Sequence, residues 1–427
     1  MVLQDYANIQ NKIGTNYSLV GIDPRGVNNS EPSSDCFPGY PFQSRNAFLS
    51  EAFALADITS DTVLRSQHQA TLAYGKWCTK MYSINGTAKY ASTVATAQDM
   101  LRYLELRAKN LGQPPEEAKL WYYGISYGSI LGPTFASLYP SRIGRMIIDG
   151  VLDLESYYNG GWETSLDETN DAAGYFFKRC YEAGPELCSF HQNATSWQQL
   201  EQRYQTILAD LKASPIGLGD PISNSSILLA ETQGILVTPI VLEWRDIVAQ
   251  MFSAIYLLSP IYTLAMDLVL VALQTRDEET LSLLTERSQI STFTPGYDLR
   301  MARSLILCLD ADGRSNVTAF EDYKSHVDYM YNKSNYGGLS VAAITAVCSK
   351  LDVRPPEGQR FDGVPRVDNT STPILFVSSI ADPITPLSSA RKMHGLFPGS
   401  GLLTFNNSGV SFPIPLSFSK GNADRLL

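Results

Sequence analysis

The chain has 427 residues, 44% hydrophobic and only 18% charged, which excludes wholesale disorder and leaves ample apolar material for a large core. A formal net charge of -10 with no Lys/Arg run excludes nucleic acid and anionic membranes as expected partners. The most apolar stretch, Leu257 to Leu273, is interrupted by Ser259, Pro260, Thr263 and Asp267, so it reads as a buried helix rather than a membrane span.

In chain order, MVLQDYANIQNKIG at the start reads as an amphipathic helix rather than a signal peptide. Residues 17–23 (YSLVGID) read as a strand running into the turn Asp23-Pro24-Arg25-Gly26. Residues 92–111 carry helical periodicity, with Met100, Leu101, Leu104 and Leu106 among the apolar positions. Next come an apolar strand, Lys119 to Tyr123, the pentapeptide Gly124-Ile125-Ser126-Tyr127-Gly128, and a helix to about Leu138. Pro133 is expected to kink that helix or shorten its first turns, and a strand follows from Arg145 to Ile148. This alternation predicts a mostly parallel α/β sheet with flanking helices over residues 1–154. From 155 to 335 strand signals fade and helical stretches rich in Tyr, Phe and Trp take over, as expected of an inserted helical cap. Over 336–427 the α/β pattern returns: strand 373–379 (PILFVSS), Ala381-Asp382-Pro383, a helix from Leu387 to Leu396, and a last strand from Gly401 to Phe405.

Six cysteines, Cys36, Cys78, Cys180, Cys188, Cys308 and Cys348, include no CxxC pair, so no metal or redox-motif role is expected. Their even count fits three disulfides, with 36–78, 180–188 and 308–348 one possible pairing and six reduced thiols the alternative. Nine N-x-S/T sequons, at Asn16, Asn28, Asn85, Asn193, Asn224, Asn316, Asn332, Asn369 and Asn406, favour the oxidised, secretory reading.

The chemistry centres on Ser126. A G-x-S-x-G pentapeptide between an apolar strand and a helix forms a nucleophile elbow, because only small neighbours let strand and helix approach so closely. The turn exposes the serine Oγ, and the backbone N–H of Tyr127 at the helix start is positioned as an oxyanion donor. In such sites the acid follows the serine in the chain. Asp382 directly follows an apolar strand, and Pro383 and Pro386 stiffen its loop, so it is preferred over Asp149 and Asp153.

Four segments together resemble the tripeptidyl aminopeptidase-like (TAP-like) α/β-hydrolases, relatives of proline iminopeptidases common as secreted proteins of fungi and actinobacteria. They are VGIDPRGVNNS (20–30), YYGISYGSILG (122–132), RIGRMIIDGVLD (142–153) and ADPITPLSSARKMHGLFPGSGLLT (381–404). The resemblance covers nearly the whole chain. It implies an α/β-hydrolase fold, no cofactor, a monomer, and release of residues from peptides with a free N-terminus through an acyl-Ser126 intermediate. Glu163, Asp167 and Glu168 are cap candidates for holding the substrate amine, against a plainer role as solvated carboxylates.

Against that pattern two parts are missing. The family reads Gly-His after the last strand, where this chain reads Asn406-Asn407-Ser408-Gly409-Val410, and no histidine follows His394. His68, His191 and His326 precede Asp382, and His394 lies on the intervening helix, so no catalytic histidine is identified. The glycine-rich oxyanion segment that precedes residue 17 in the family also has no counterpart. The chain thus reads as truncated at both ends, with 410–427 a non-homologous tail, and as an impaired hydrolase. A non-catalytic peptide- or lipid-binding relative and an esterase are the alternatives.

Overall fold

A computed structural model describes residues 17–219, 240–256, 260–284, 298–315 and 317–410. The chain opens with helices α1 (Phe42–Ala52), α2 (Asp61–Asn85) and α3 (Thr93–Asn110). Strand β1 (Leu120–Ile125), helix α4 (Gly128–Leu138), strand β2 (Ile143–Asp149) and the short α5 (Leu154–Tyr158) follow. A helical region comes next: α6 (Thr169–Ala183) and α7 (Trp197–Ala213), an antiparallel ribbon of β3 (Ile216–Leu218) and β4 (Ile240–Leu242), then α8 (Trp244–Tyr256), α9 (Pro260–Thr275) and α10 (Glu278–Leu284). Helices α11 (Leu299–Ala311), α12 (Phe320–Lys333) and α13 (Gly338–Ala346) lead back to β5 (Ile374–Ala381), α14 (Leu387–Leu396) and β6 (Gly401–Ser408).

The helix ends carry local chemistry that the sequence spells out. Ser60 caps α2 by accepting from Val63 N at 3.4 Å, and Gly86 closes the same helix at φ 66°. Ser92 caps α3 by accepting from Ala95 N at 3.2 Å.

Strands β1, β2, β5 and β6 lie side by side in that order, each parallel to its neighbour. Their register sets Ile125 beside Asp149, Asp149 beside Val377, and Ala381 beside Ser408. Parallel strands end on one edge, so the residues just after them, Ser126, Gly150, Asp382 and Gly409-Val410, gather there. Backbone bonds past the strand ends pin these loops: Ser126 N to Asp149 O at 3.2 Å, Gly150 N to Val377 O at 3.2 Å, and Gly409 N to Ala381 O at 2.9 Å.

The sheet buries Leu120, Ile143, Met146, Ile148, Ile374 and Phe376 against α3, α4 and α14, whose Met100, Ile130, Phe135 and Met393 fill the core. A second core lies in the helical region, among Phe177, Leu200, Tyr204, Leu242, Met251 and Leu270. A third joins α2 to α11 around Tyr74, Cys78, Met301, Leu305 and Cys308. The cysteines are paired as 36–78, 180–188 and 308–348.

Helix α3, strands β1, β2, β5 and β6, and helix α14 stand where the residue patterns placed them. The apolar stretch expected as a buried helix is helical from Pro260 as α9 but only half-buried, with Tyr262, Leu264 and Leu268 exposed, and no helix among the described residues is long and apolar enough to cross a membrane. Two expectations are corrected. Residues 17–23 form no strand: Tyr17, Val20 and Ile22 are exposed and the segment joins no ladder. An apolar extended stretch becomes a strand only when a neighbour supplies its N–H and C=O partners. Pro133 does not shorten α4, which runs unbroken from Gly128 to Leu138. Its missing N–H falls early in the helix, one turn after donors that have no helical partner in any case. The expected N-terminal helix lies outside the described residues, as does the tail beyond Val410.

Candidate active site

Ser126 sits between β1 and α4 at φ 55°, the left-handed region that side chains other than glycine rarely occupy. The flanking glycines make this turn possible. A Cβ on Gly124 would lie 2.3 Å from Tyr122 Cε1 and 2.5 Å from Gly128 O, and one on Gly128 would lie 3.1 Å from the Tyr122 hydroxyl. Tyr122 locks the turn by donating its hydroxyl to Gly128 O at 2.8 Å. Tyr127 follows at φ -54° as the N-cap of α4, where backbone N–H groups lack helical acceptors and face an incoming negative charge.

Asp382 is wholly buried at the end of β5. Its Oδ1 accepts from Ile384 N at 3.0 Å and Thr385 N at 2.7 Å, and its Oδ2 accepts from Thr385 Oγ1 at 2.6 Å. Burial raises its pKa to about 6, against the opposing pull of these hydrogen bonds. Of its rivals, Asp149 is the buried last residue of β2 and accepts from the Tyr123 hydroxyl at 2.8 Å. Asp153 caps α5 through Glu155 N at 3.0 Å and pairs with Lys392 at 2.9 Å.

Three side chains that residue patterns did not single out complete the site. Tyr256, the last residue of α8, has its phenol beside the Ser126 side chain and close enough to Asp382 to feel its charge. Burial is the main reason its phenol is held above its ordinary pKa. Thr385 and Val410 converge on Gly150: a Cβ there would lie 3.2 Å from Thr385 Oγ1, 3.1 Å from Val410 Cγ1 and 3.7 Å from Ser126 N. Val410, 8% exposed, therefore packs between the serine turn and the Asp382 loop. Its only advance signal was its place after the last strand.

No histidine reaches this edge. His68 Nε2 lies 3.0 Å from Val317 O, with its ring stacked on Tyr323. His191 stacks on Tyr181, and His326 Nε2 lies 2.7 Å from Thr345 Oγ1. His394 Nδ1 lies 2.7 Å from Ser400 Oγ at the far end of α14.

Of the three carboxylates expected to hold a substrate amine or to be solvated, two have definite partners. Glu168 accepts from Leu387 N at 2.7 Å and Ser388 N at 3.2 Å, capping α14 from a different part of the chain. Asp167 pairs with Lys333 at 2.7 Å and accepts from Ser388 Oγ at 2.8 Å, while Thr169 Oγ1 donates to Pro383 O at 2.7 Å. Residues 167–169 thus grip the loop that carries Asp382. Glu163 makes no hydrogen bond or ion pair among the described residues, although its charge acts on His326.

The described residues hold one cluster with metal-ligand spacing, Cys180, Cys188 and Asp267, but the two sulfurs are joined in a disulfide and are not free thiolates.

Residues 334–414 match the family described as TAP-like protein, a span that includes Asp382 and Val410. The tripeptidyl aminopeptidase of Streptomyces lividans is 30% identical over 173 residues, which are 37% of this chain and 29% of that protein. The tripeptidyl aminopeptidase of Streptomyces coelicolor matches to the same extent. Serine protease Hip1 of Mycobacterium tuberculosis is 28% identical over 148 residues, 35% of this chain and 26% of that protein. The matches span less than a third of the length of these curated relatives. The parallel sheet and the strained serine turn are those of an α/β-hydrolase fold, and residues 334–414 carry its likeness to the TAP-like family.

Proposed function

We propose that the fold is built for serine-peptidase chemistry on peptides with a free N-terminus, and that this polypeptide performs it weakly for want of a base. The observation that carries the reading is the sheet edge itself, where Ser126 at φ 55°, buried Asp382 and Val410 each follow a strand end, with Val410 and the Asp382-loop residue Thr385 both packed around Gly150. Ser126 Oγ attacks the scissile carbonyl, and the Tyr127 N–H stabilises the developing oxyanion. The Oγ proton must pass to a neighbouring base, normally an imidazole held by the acid. Valine at that junction accepts no proton, and the Tyr256 phenol, held above its ordinary pKa, is a poor substitute.

The test is a side-chain replacement. A fluorophosphonate probe should label the natural chain slowly, and Val410→His should speed labelling of Ser126 by about 100-fold or more, the usual contribution of a positioned base. The same variant should cleave tripeptidyl p-nitroanilides with a free amino terminus and spare their N-acetylated forms. Rapid labelling of the natural chain would remove the impairment, and equal cleavage of blocked and free substrates would favour an esterase or endopeptidase. A Val410→His protein that folds yet stays inert would leave the non-catalytic, peptide-binding alternative.

The same reading puts the protein in the secretory route, as a monomer. Its support is the three disulfides and the exposure of the described sequon asparagines, Asn28, Asn85, Asn193, Asn332, Asn369 and Asn406.

A further inference from the structure

Beneath the serine turn lies a buried polar chain that the hydrolytic reading leaves unused. Asp310, next to last in α11, is 4% exposed. Its Oδ1 accepts from Thr93 N at 2.9 Å, and its Oδ2 accepts from Thr93 Oγ1 at 2.5 Å and from the Tyr157 hydroxyl at 2.7 Å. Thr93 spends its single hydroxyl proton on Asp310, so towards the Tyr127 hydroxyl, 2.8 Å away, its oxygen accepts. The direction of every proton is thereby set: Tyr127 donates to Thr93, Thr93 to Asp310, and Tyr157 to Asp310. Tyr127 is the residue whose backbone N–H faces the oxyanion position.

The surroundings of Asp310 hold few charges. Arg314 is the cation that acts on it, yet Arg314 is spent on carbonyls, with Nη2 on Asp310 O at 2.8 Å and Nε on Tyr158 O at 2.8 Å. The Tyr158 hydroxyl pairs with Thr134 Oγ1 at 2.8 Å. Burial raises the Asp310 pKa to about 6, although the Thr93 and Tyr157 hydrogen bonds pull against it.

We propose that Asp310 is a positioning residue for the nucleophile turn: while ionised, it holds the Tyr127 ring through Thr93 and so fixes the direction of the Tyr127 N–H. A proton taken up on Oδ2 meets the two hydroxyls that Thr93 and Tyr157 already point at that oxygen. One of those bonds then breaks or reverses, and reversal at Thr93 turns its proton against that of Tyr127. The turn therefore loosens as pH falls through the range in which Asp310 gains its proton.

The inference rests on Tyr127 as oxyanion donor, but its test does not need hydrolysis. Amide hydrogen exchange of the peptide covering residues 124–132, corrected for intrinsic rates, is followed in the full chain from pH 5 to 8. Protection should drop roughly tenfold on the acid side of about pH 6, the loss expected for one charge-assisted hydrogen bond. Thr93→Val and Tyr127→Phe, which cut the relay and leave Asp310 in place, should show the low protection at every pH. Thr93→Ser should restore the natural profile, and Asp310→Asn should abolish the step. Unchanged protection in Thr93→Val and Tyr127→Phe, or a step that survives in Asp310→Asn, overturns the proposal. If Asp310→Asn does not fold, the two relay variants decide alone. A Val410→His chain silent to the fluorophosphonate probe beside an intact pH step would count against the hydrolytic reading and leave this one standing.

Discussion

At Asp382 a carboxylate is taken wholly out of water and given three donors from its own loop in return. The donors do not fully offset the burial, because its pKa stands at about 6, above the ordinary value. A carboxyl whose folded pKa is raised binds its proton more tightly when folded than when unfolded. The stability tied to that proton is fully present below about pH 4 and is lost as pH rises through about 6. Denaturant midpoints taken across this window should therefore fall with rising pH, by up to about 3 kcal/mol for this group. Asp310, raised to about 6 in the same way, acts over the same window, so Asp382→Asn should reduce that slope without abolishing it, and an unaltered slope would show that this carboxyl is not a source.

The residue scale also sets what was readable in advance. Ser126 and its glycines were legible because a strained turn demands small neighbours at fixed offsets. Tyr256 was not, since nothing in a helix C-terminus at residue 256 announces contact with a serine 130 positions earlier. Val410 announced itself only as the place where a histidine was missing.

At the scale of elements, a latch joins residues 167–169 of the helical region to the loop after β5. Helix α14 begins at Leu387 after Pro386, so its first N–H groups have no local side-chain cap. Glu168, just ahead of α6, fills that role from outside, and Thr169 holds Pro383. A carboxylate at a helix N-terminus gains from both the free donors and the helix dipole. Glu168→Ala should cost about 1–2 kcal/mol of stability by chemical denaturation, with exchange protection lost first in the peptide covering residues 382–390. A variant as stable as the parent, with that peptide still protected, would mean that α14 caps itself. Glu168 was noticed in the sequence as an acidic cap residue, but its partner lies 219 positions away, beyond any local pattern.

On the scale of the whole molecule, the disulfides staple three different regions. Cys36–Cys78 ties the segment before α1 to α2, Cys180–Cys188 closes a short loop after α6, and Cys308–Cys348 fastens α11 to the turn after α13. Helix α11 thereby reaches the core under α2, and through Asp310 the serine turn, from within the stretch expected as a cap. Chain-entropy arguments make the bridges with separations of 42 and 40 residues worth about 4 kcal/mol each and the 8-residue one about 2.5 kcal/mol. Protein from a eukaryotic secretory host should accordingly carry no titratable thiol and lose mass on glycosidase treatment. Replacing Cys308 and Cys348 together by Ala should destabilise it more than replacing Cys180 and Cys188. Six free thiols on an unglycosylated product would contradict the secretory reading.

The sequence by itself determined the class of the fold, the serine turn, the strand that delivers Asp382 and the absence of a histidine behind it. Each depends on local rules, such as apolar periodicity, glycine at a strained turn and the order of residues along the chain, that neighbours in sequence suffice to satisfy. Only the tertiary structure decided that residues 17–23 join no ladder, that Val410 packs beside Gly150, that Glu168 caps a distant helix, and that Asp310 reaches the serine turn through Thr93. These depend on partners far apart in the chain. A hydrogen bond or a packed methyl group requires atoms within a few ångströms, and only the folded chain sets which distant atoms meet.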